Sequence, residues 1–140
     1  MSTVVILGGG GLQARGVALD LLEYTDHDLL LVDAAQPILD RRSADLSSDR
    51  VRTVVGDLAD TAAIAELLEG ASAVVNAAPP HLCAAGMKAA LQARVPYTDL
   101  GTFPEELAKQ KDLAAEFKAA GLLAVVGVGS GPGITNMMAR

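Results

Sequence analysis

Residues 4–14 read Val-Val-Ile-Leu-Gly-Gly-Gly-Gly-Leu-Gln-Ala, and residues 29–33 read Leu-Leu-Leu-Val-Asp. The first stretch has the pattern of an apolar strand that runs into a glycine turn and then into a helix. The second has the pattern of another apolar strand that ends in a carboxylate. A dinucleotide-binding unit has this order, because glycines permit the tight turn and the helix N-terminus attracts the pyrophosphate. The two stretches therefore predict a nicotinamide dinucleotide site.

Two glycine spacings fit this turn. Gly9-x-Gly11-x-x-Ala14 is the spacing of dehydrogenases, and Gly8-x-x-Gly11-x-x-Ala14 is the looser spacing of reductases with a more open turn. In both, Gly11 allows the pyrophosphate to approach the backbone, and Ala14 allows the helix to pack closely on the strand. The residues that we expect around the phosphates are Gly8, Gly9, Gly11, Leu12 and Gln13.

Asp33 follows Gly11 at about the 20-residue separation expected for a carboxylate on the adenosine ribose. A carboxylate accepts hydrogen bonds from the two ribose hydroxyls and repels a 2′-phosphate, so Asp33 predicts NAD as the cofactor. NADP is the alternative, because Arg41 or Arg42 would reach a 2′-phosphate if their segment folded back. A purely structural glycine loop is the competing interpretation of the whole motif.

Composition limits the other classes of function. The chain has 140 residues, of which 51% are hydrophobic, and this predicts one globular domain. Its net charge of −6 argues against a nucleic-acid surface. No apolar run reaches the length of a membrane span, and no signal sequence precedes the first strand, so we expect a cytoplasmic protein with no membrane partner. The single cysteine excludes an internal disulfide, and the spacing of histidines and cysteine predicts no metal site.

Apolar stretches alternate with helical patterns along the whole chain. This alternation predicts an α/β fold with a doubly wound parallel sheet, a Rossmann fold in three α/β/α layers. We expect strands at Thr3–Leu7, Asp28–Val32, Val51–Val55, Ala73–Ala77, Tyr97–Leu100 and Leu122–Val126. We expect helices at Leu12–Tyr24, Ala62–Leu68, Leu82–Ala93 and Pro104–Ala120, and a short surface helix with a loop within Pro37–Arg50.

The ends of the strands are where such a sheet binds ligands. Asp57 and Leu58 follow the third strand and are expected beside the adenine; for Asp57, capping a short turn is the alternative. The small, stiff segment Asn76, Ala77, Ala78 and Pro79 follows the fourth strand and is expected under the nicotinamide ribose. A second glycine-rich turn, with Gly127 and Gly129, follows the last strand.

Several motifs together resemble the amino-terminal domain of the saccharopine dehydrogenase family, which includes lysine 6-dehydrogenases. They are the first glycine turn, Asn76-Ala77-Ala78-Pro79, Met87-Lys88-Ala89-Ala90-Leu91, Tyr97-x-Asp99, and the Gly-x-Gly-x-Gly-Pro-Gly-Ile-Thr-Asn run at 127–136. The resemblance covers almost the whole chain. It implies NAD(P)-dependent oxidation or reduction at an amine-bearing carbon in amino-acid metabolism, lysine metabolism included.

The resemblance also gives Asp99 a role. It implies that this carboxylate faces the amino-acid substrate, where it would orient the ammonium group or take its proton. A plain cap at the strand end is the alternative. Gly131 is a departure, since many family members carry an aspartate at that position, and this puts the identity of the substrate in doubt.

The same resemblance implies a longer, homodimeric enzyme. We expect residues 1–133 to form the NAD(P)-binding domain and residues 134–140 to begin a linker helix to a C-terminal substrate-binding and dimerisation domain that this chain lacks. The chain alone should then be inactive, because half of the cleft is missing. The alternative function is a stand-alone NAD-sensing regulatory domain without catalysis. Tyr97-x-Asp99 and Gly131-Pro132-Gly133 argue against a sensor, which needs no carboxylate at the nicotinamide end.

Overall fold

A parallel sheet forms the centre of the computed structural model, which describes residues 2–101 and 103–139. Its strands are β1 (Thr3–Leu7), β2 (Asp28–Asp33), β3 (Val51–Val55), β4 (Ala73–Asn76), β5 (Tyr97–Asp99) and β6 (Ala124–Val125). The spatial order is β3-β2-β1-β4-β5-β6, and every neighbouring pair is parallel. Because the chain winds outward in both directions from β1 and β4, the predicted doubly wound Rossmann fold is confirmed.

Helices connect the strands. They are α1 (Leu12–Tyr24), α2 (Gln36–Leu46), α3 (Thr61–Leu68), α4 (Cys83–Ala93), α5 (Pro104–Asp112), α6 (Ala114–Ala119) and α7 (Ile134–Met138), with a 3₁₀ turn at Pro80–Leu82. The predicted long helix after β5 is two helices that meet at Leu113. The α7 helix begins where the linker helix is expected, and Arg140, the last residue of that prediction, lies outside the described residues.

Two hydrophobic cores lie on the two faces of the sheet. Val5 and Leu7 of β1 pack into the core beneath α3, α4 and α6, whereas Val4 and Ile6 pack into the core beneath α1 and α2. Alternate side chains of a strand point to opposite faces, so burial of all four shows that helices cover both. The three-layer arrangement leaves the carboxyl edge of the sheet free for a ligand. In the described part of the chain, no helix combines the length and apolarity that crossing a membrane requires.

Candidate dinucleotide site

A cavity of about 630 Å³ opens at the carboxyl ends of β1, β2, β4 and β5. Its lining consists of Gly8, Gly11, Leu12, Gln13, Asp33, Ile38, Asn76, Ala77, Ala78, Pro79, Pro80, Leu100, Gly101, Phe103, Gly131 and Pro132. β1 and β4 are neighbours whose onward connections run in opposite directions, which is the point where doubly wound sheets bind ligands. Nine of these residues are among those that the sequence predicts for the cofactor.

The first glycine turn passes very close to the end of β4. Gly8 has a φ of 72°, and a Cβ atom on it would lie 2.7 Å from the Cα and N atoms of Ala78. Gly9 serves a different contact, because a Cβ atom there would lie 2.6 Å from the Cβ atom of Leu31 in β2. Gly8 therefore borders the cavity, whereas Gly9 packs against the sheet and does not line the cavity.

The N-terminus of α1 provides an anion-binding position in the cavity. Gly11 is the N-cap and offers no side-chain acceptor, while its own N–H donates to the carbonyl oxygen of Gly8 at 2.9 Å. Leu12 and Gln13, in the first turn of this 13-residue helix, line the cavity. First-turn amides and the helix dipole favour a phosphate at this place. The absence of side chains at the turn and the anion-binding helix end fit a dinucleotide pyrophosphate.

Asp33 ends β2 and lines the cavity beside the glycine turn. Its Oδ2 accepts a hydrogen bond from the Gly10 N–H at 3.0 Å, and its Oδ1 accepts one from the Ala34 N–H at 2.8 Å. Each carboxylate oxygen can accept more than one hydrogen bond, so both oxygens keep capacity for ribose hydroxyls. The hydrogen bond from the Gly10 N–H to Asp33 also holds the Gly10 peptide group in its orientation.

Arg42, on α2, folds back onto the same turn. Its Nη2 donates to the carbonyl oxygens of Gly10 and Gly11, each at 3.1 Å, and its Nη1 donates to Asp45 Oδ2 at 2.7 Å. Arg15 Nε reaches the same carboxylate oxygen at 2.6 Å, and this hydrogen bond holds the pKa of Asp45 below its usual value. The sequence raises a folded-back Arg42 only within the NADP alternative, as a partner for a 2′-phosphate, and it does not predict these contacts with the turn.

Asn76 closes the middle of the cavity at the end of β4. Its Oδ1 accepts a hydrogen bond from the Ala78 N–H at 3.0 Å, and its Nδ2 donates to the Tyr97 hydroxyl at 3.0 Å. The side chain is buried, so it shapes the following segment from beneath. That segment, Ala77 to Pro80, presents small side chains and backbone to the cavity, as predicted from its composition.

Besides Gly9, four predicted cofactor contacts do not line the cavity. Asp57 Oδ1 accepts a hydrogen bond from the Ala59 N–H at 2.9 Å, which agrees with the turn-capping alternative, and the Leu58 side chain is buried in the core. In the second glycine-rich turn, Gly131 and Pro132 line the cavity, whereas Gly127 and Gly129 do not. The predicted turn is thus at the site, but through later residues than expected.

Asp99 occupies a place that differs from the prediction that it faces the substrate. Its side chain is fully buried and does not line the cavity. Oδ1 accepts hydrogen bonds from the N–H groups of Gly101 at 3.1 Å and Gly127 at 2.8 Å. Oδ2 accepts hydrogen bonds from Gln110 Nε2 at 2.6 Å and from the Tyr97 hydroxyl at 3.2 Å. The geometry therefore agrees with the alternative of a strand-end cap.

Several lining residues were not predicted from the sequence. Ile38 of α2 closes the cavity next to Asp33 and leaves no room for a side chain on Gly10. Leu100, Gly101 and Phe103 follow β5 directly. These last residues follow the same strand-end rule that located Asn76, but at the end of β5 the sequence singled out Asp99 and not the residues after it.

The buried Tyr97 hydroxyl predicts a loss of stability at high pH. Burial raises the pKa of this hydroxyl above its usual 10.0, and the charge of Asp99 raises it further. Above about pH 10 the unfolded chain releases this proton and the folded chain keeps it, so the free energy of unfolding falls by up to about 1.4 kcal/mol per pH unit.

Urea unfolding measured below and above about pH 10 tests this prediction. The free energy of unfolding should decline less steeply with pH in Tyr97→Phe than in wild type. Tyr24→Phe, at a 73% exposed tyrosine, should keep the wild-type decline. An unchanged decline in Tyr97→Phe would contradict this assignment.

Known proteins share both the sequence pattern and the fold. A family model described as the saccharopine dehydrogenase NADP binding domain matches residues 4–125. The carboxyaminopropylagmatine dehydrogenase of Synechocystis sp. is 32% identical over a 149-residue alignment that covers 98% of this chain and 36% of that protein.

Two solved structures show the same architecture. The saccharopine dehydrogenase (L-Glu forming) of Saccharomyces cerevisiae superposes with a TM-score of 0.86 at 19% identity, covering 99% of this chain and 30% of that one. A short-chain dehydrogenase/reductase of Veillonella parvula, solved with NADP, superposes with a TM-score of 0.64 at 16% identity, covering 89% of this chain and 67% of that one.

The chain thus spans about a third of the length of the two dehydrogenases named first, 36% of one and 30% of the other. The family match extends from β1 to β6, and it confirms both the resemblance seen in the motifs and the nicotinamide dinucleotide as cofactor. This chain belongs to the family of saccharopine dehydrogenase NADP-binding domains.

Proposed function

We propose that the chain is the cofactor-binding domain of an NAD(P)-dependent oxidoreductase that acts on the CH–NH group of an amino acid. The observation that carries the proposal is the cavity between the glycine turn and the ends of β4 and β5, with Asp33 at one end. The names of the relatives support the substrate class, since the Saccharomyces cerevisiae enzyme is described as L-Glu forming and the Synechocystis relative is named for a carboxyl- and amino-bearing substrate. These dehydrogenase names favour an oxidoreductase over a sensing module.

Each part of the cavity has a defined task in this proposal. Gly8, Gly11 and the first turn of α1 bind the pyrophosphate, and Asp33 accepts hydrogen bonds from the adenosine ribose. The segment from Ala77 to Pro80 supports the other half of the dinucleotide, because its small side chains let a flat ring lie against backbone. The bound nicotinamide supplies the hydride-transfer chemistry.

The amino-acid chemistry needs groups beyond those at this cavity. Of the described residues that line it, Asp33 is the one titratable side chain, and it lies at the adenosine end. Amine oxidation needs an acid or base close to the reacting carbon. We therefore propose that this chain binds dinucleotide without turning over amino acids. The substrate class is tested by following NADP reduction with saccharopine, with lysine and with a 2-hydroxy acid. The assay uses the native-length gene product that carries this domain. Reduction of NADP with the 2-hydroxy acid alone would refute the CH–NH assignment.

Calorimetric titration with NADH and NADPH tests the role of Asp33. Asp33→Asn keeps an oxygen for the Gly10 N–H but removes the negative charge that a 2′-phosphate would meet. We expect it to shift the ratio of NADPH to NADH affinity toward NADPH by about tenfold, or about 1.4 kcal/mol. Asp40→Asn, at an exposed aspartate of α2, is the matched control and should leave the ratio unchanged. A ratio that does not move in Asp33→Asn would exclude contact between Asp33 and the ribose.

A further inference from the structure

The cavity wall farthest from Asp33 is built from two turns that meet. Leu100, Gly101 and Phe103 come from the turn after β5, and Gly131 and Pro132 come from the turn after β6. These five residues are called the far wall. β2 and β5 lie on opposite sides of the β1–β4 pair, so the far wall faces the half of the dinucleotide that does not contact Asp33.

The two turns are packed together through glycines. A Cβ atom on Gly129 would lie 2.2 Å from the carbonyl oxygen of Leu100, and a Cβ atom on Gly101 would lie 3.4 Å from Cδ of Pro132. The sheet constrains the turn after β6 weakly, because the described residues of β6 that pair with β5 are Ala124 and Val125 alone. Something besides the sheet must therefore fix its position.

Asp99 provides that fixation from below. Its carboxylate accepts a hydrogen bond from Gly101 in one turn and from Gly127 in the other, and its backbone carbonyl accepts one from the Val128 N–H at 2.9 Å. The second carboxylate oxygen accepts hydrogen bonds from Gln110 of α5 and from the Tyr97 hydroxyl at 3.2 Å. A buried carboxylate is stable only when donors surround it, and hydrogen bonds to a charged acceptor are stronger than neutral ones.

We propose that Asp99 is a positioning residue whose buried carboxylate joins the two turns of the far wall and so determines how tightly the nicotinamide half of the dinucleotide is held. The proposal rests on the dinucleotide-binding function above and deepens it. It places Asp99 outside direct contact with substrate, because its carboxylate is fully buried and accepts its hydrogen bonds from groups of this chain.

Gln110 gives the proposal a specific consequence for the Asn variant. Its Oε1 is buried and has no hydrogen-bond partner within residues 2–101 and 103–139. In Asp99→Asn, Oδ1 can still accept hydrogen bonds from the Gly101 and Gly127 N–H groups. If the side-chain amide of Gln110 rotates by about 180°, Nδ2 of the new asparagine can donate to Gln110 Oε1. The amide pair thus replaces the carboxylate, and the two turns stay joined. Asp99→Ala has no such replacement.

The test separates the two halves of the ligand. Wild type, Asp99→Ala and Asp99→Asn are titrated with NADPH, with NADH, and with 2′,5′-ADP and ADP, which lack the nicotinamide half. We expect Asp99→Ala to weaken dinucleotide binding by about tenfold, because a mobile far wall must be ordered on binding, and to change the affinity for 2′,5′-ADP and ADP by less than about twofold. Asp99→Asn should stay within about threefold of wild type for all four ligands. Asp112→Ala, at an exposed aspartate of α5, is the control.

Amide hydrogen exchange at Gly101, Gly127 and Val128 gives a readout that needs no ligand. Exchange there should rise in Asp99→Ala and stay near wild type in Asp99→Asn, with thermal unfolding confirming that both variants fold. Equal losses for dinucleotides and for 2′,5′-ADP or ADP, unchanged exchange in Asp99→Ala, or an Asn variant as weak as the Ala variant would each overturn the proposal. Failure of wild type to bind any of the four ligands would instead refute the dinucleotide function, and the exchange result would still decide whether Asp99 joins the turns.

Discussion

Gly8→Val should abolish measurable dinucleotide binding. The residue has a φ of 72°, a region that β-branched side chains avoid, and its Cβ atom would collide with the backbone of Ala78 at 2.7 Å. Since backbone cannot rotate away as a side chain can, the glycine turn must move from the end of β4. We expect Kd to rise by at least about 100-fold, or about 3 kcal/mol, for both NADH and NADPH. Calorimetric titration of the folded variant measures this directly.

The strain in Gly8→Val also costs folding stability, on the order of 1–3 kcal/mol. Circular dichroism must therefore show that the variant is folded at the titration temperature, and Gly8→Ala provides a milder version if it is not. Gly16→Ala is the matched control, because a Cβ atom on that α1 glycine meets nothing within 4 Å. It should bind normally and gain up to about 1 kcal/mol of stability from helix propensity. Normal affinity in folded Gly8→Val would show that the close approach to β4 is dispensable.

Leu31→Ala should cause the largest loss of stability. Leu31 is completely buried in β2, where it lies in the core beneath α1 and α2 and pairs in register with Ile6. Removing a buried leucine side chain costs about 2–5 kcal/mol, because a cavity remains in addition to the lost burial. A domain of this size has about 5–15 kcal/mol of total stability, so a large part of it disappears. Urea unfolding monitored by circular dichroism measures the change.

An exposed leucine provides the comparison for Leu31→Ala. The Leu123 side chain, just before β6, is 66% exposed, and Leu123→Ala should change the free energy of unfolding by less than about 0.5 kcal/mol. A similar small effect for Leu31→Ala would mean that the core beneath α1 and α2 adapts to the lost volume or contributes little to the fold.

The central strands were predictable because their pattern is strong and local. β1, β3 and α1 have the bounds expected from the sequence. For β1 the reason is its continuous apolar run, which marks a strand covered on both faces. β6 is shorter than its apolar run of Leu122–Val126, because its partner β5 has only three residues. Apolar composition at a sheet edge therefore overstates the paired length.

The site was predictable where chemistry depends on neighbours in sequence, and not where it depends on contacts between distant segments. The glycine turn and Asp33 were found from their spacing. The Arg42 contacts with Gly10 and Gly11 join residues more than 30 positions apart, and no local pattern encodes them. Asp99 sits at a strand end as expected, but whether such a side chain faces ligand or interior is set by the donors that the following turns bring to it.

The Arg42 contacts make the integrity of α2 part of the binding site. This helix buries Leu39 and Leu46 and leaves its other residues at least partly exposed, so its local unfolding exposes little apolar surface. Each opening of α2 withdraws the guanidinium from the carbonyls of the glycine turn. Limited proteolysis within 36–46 should accordingly inactivate nucleotide binding well before the central sheet is degraded, and a bound dinucleotide should slow that cleavage. Dinucleotide binding and local opening of α2 therefore oppose each other, because the opened helix no longer supports the glycine turn.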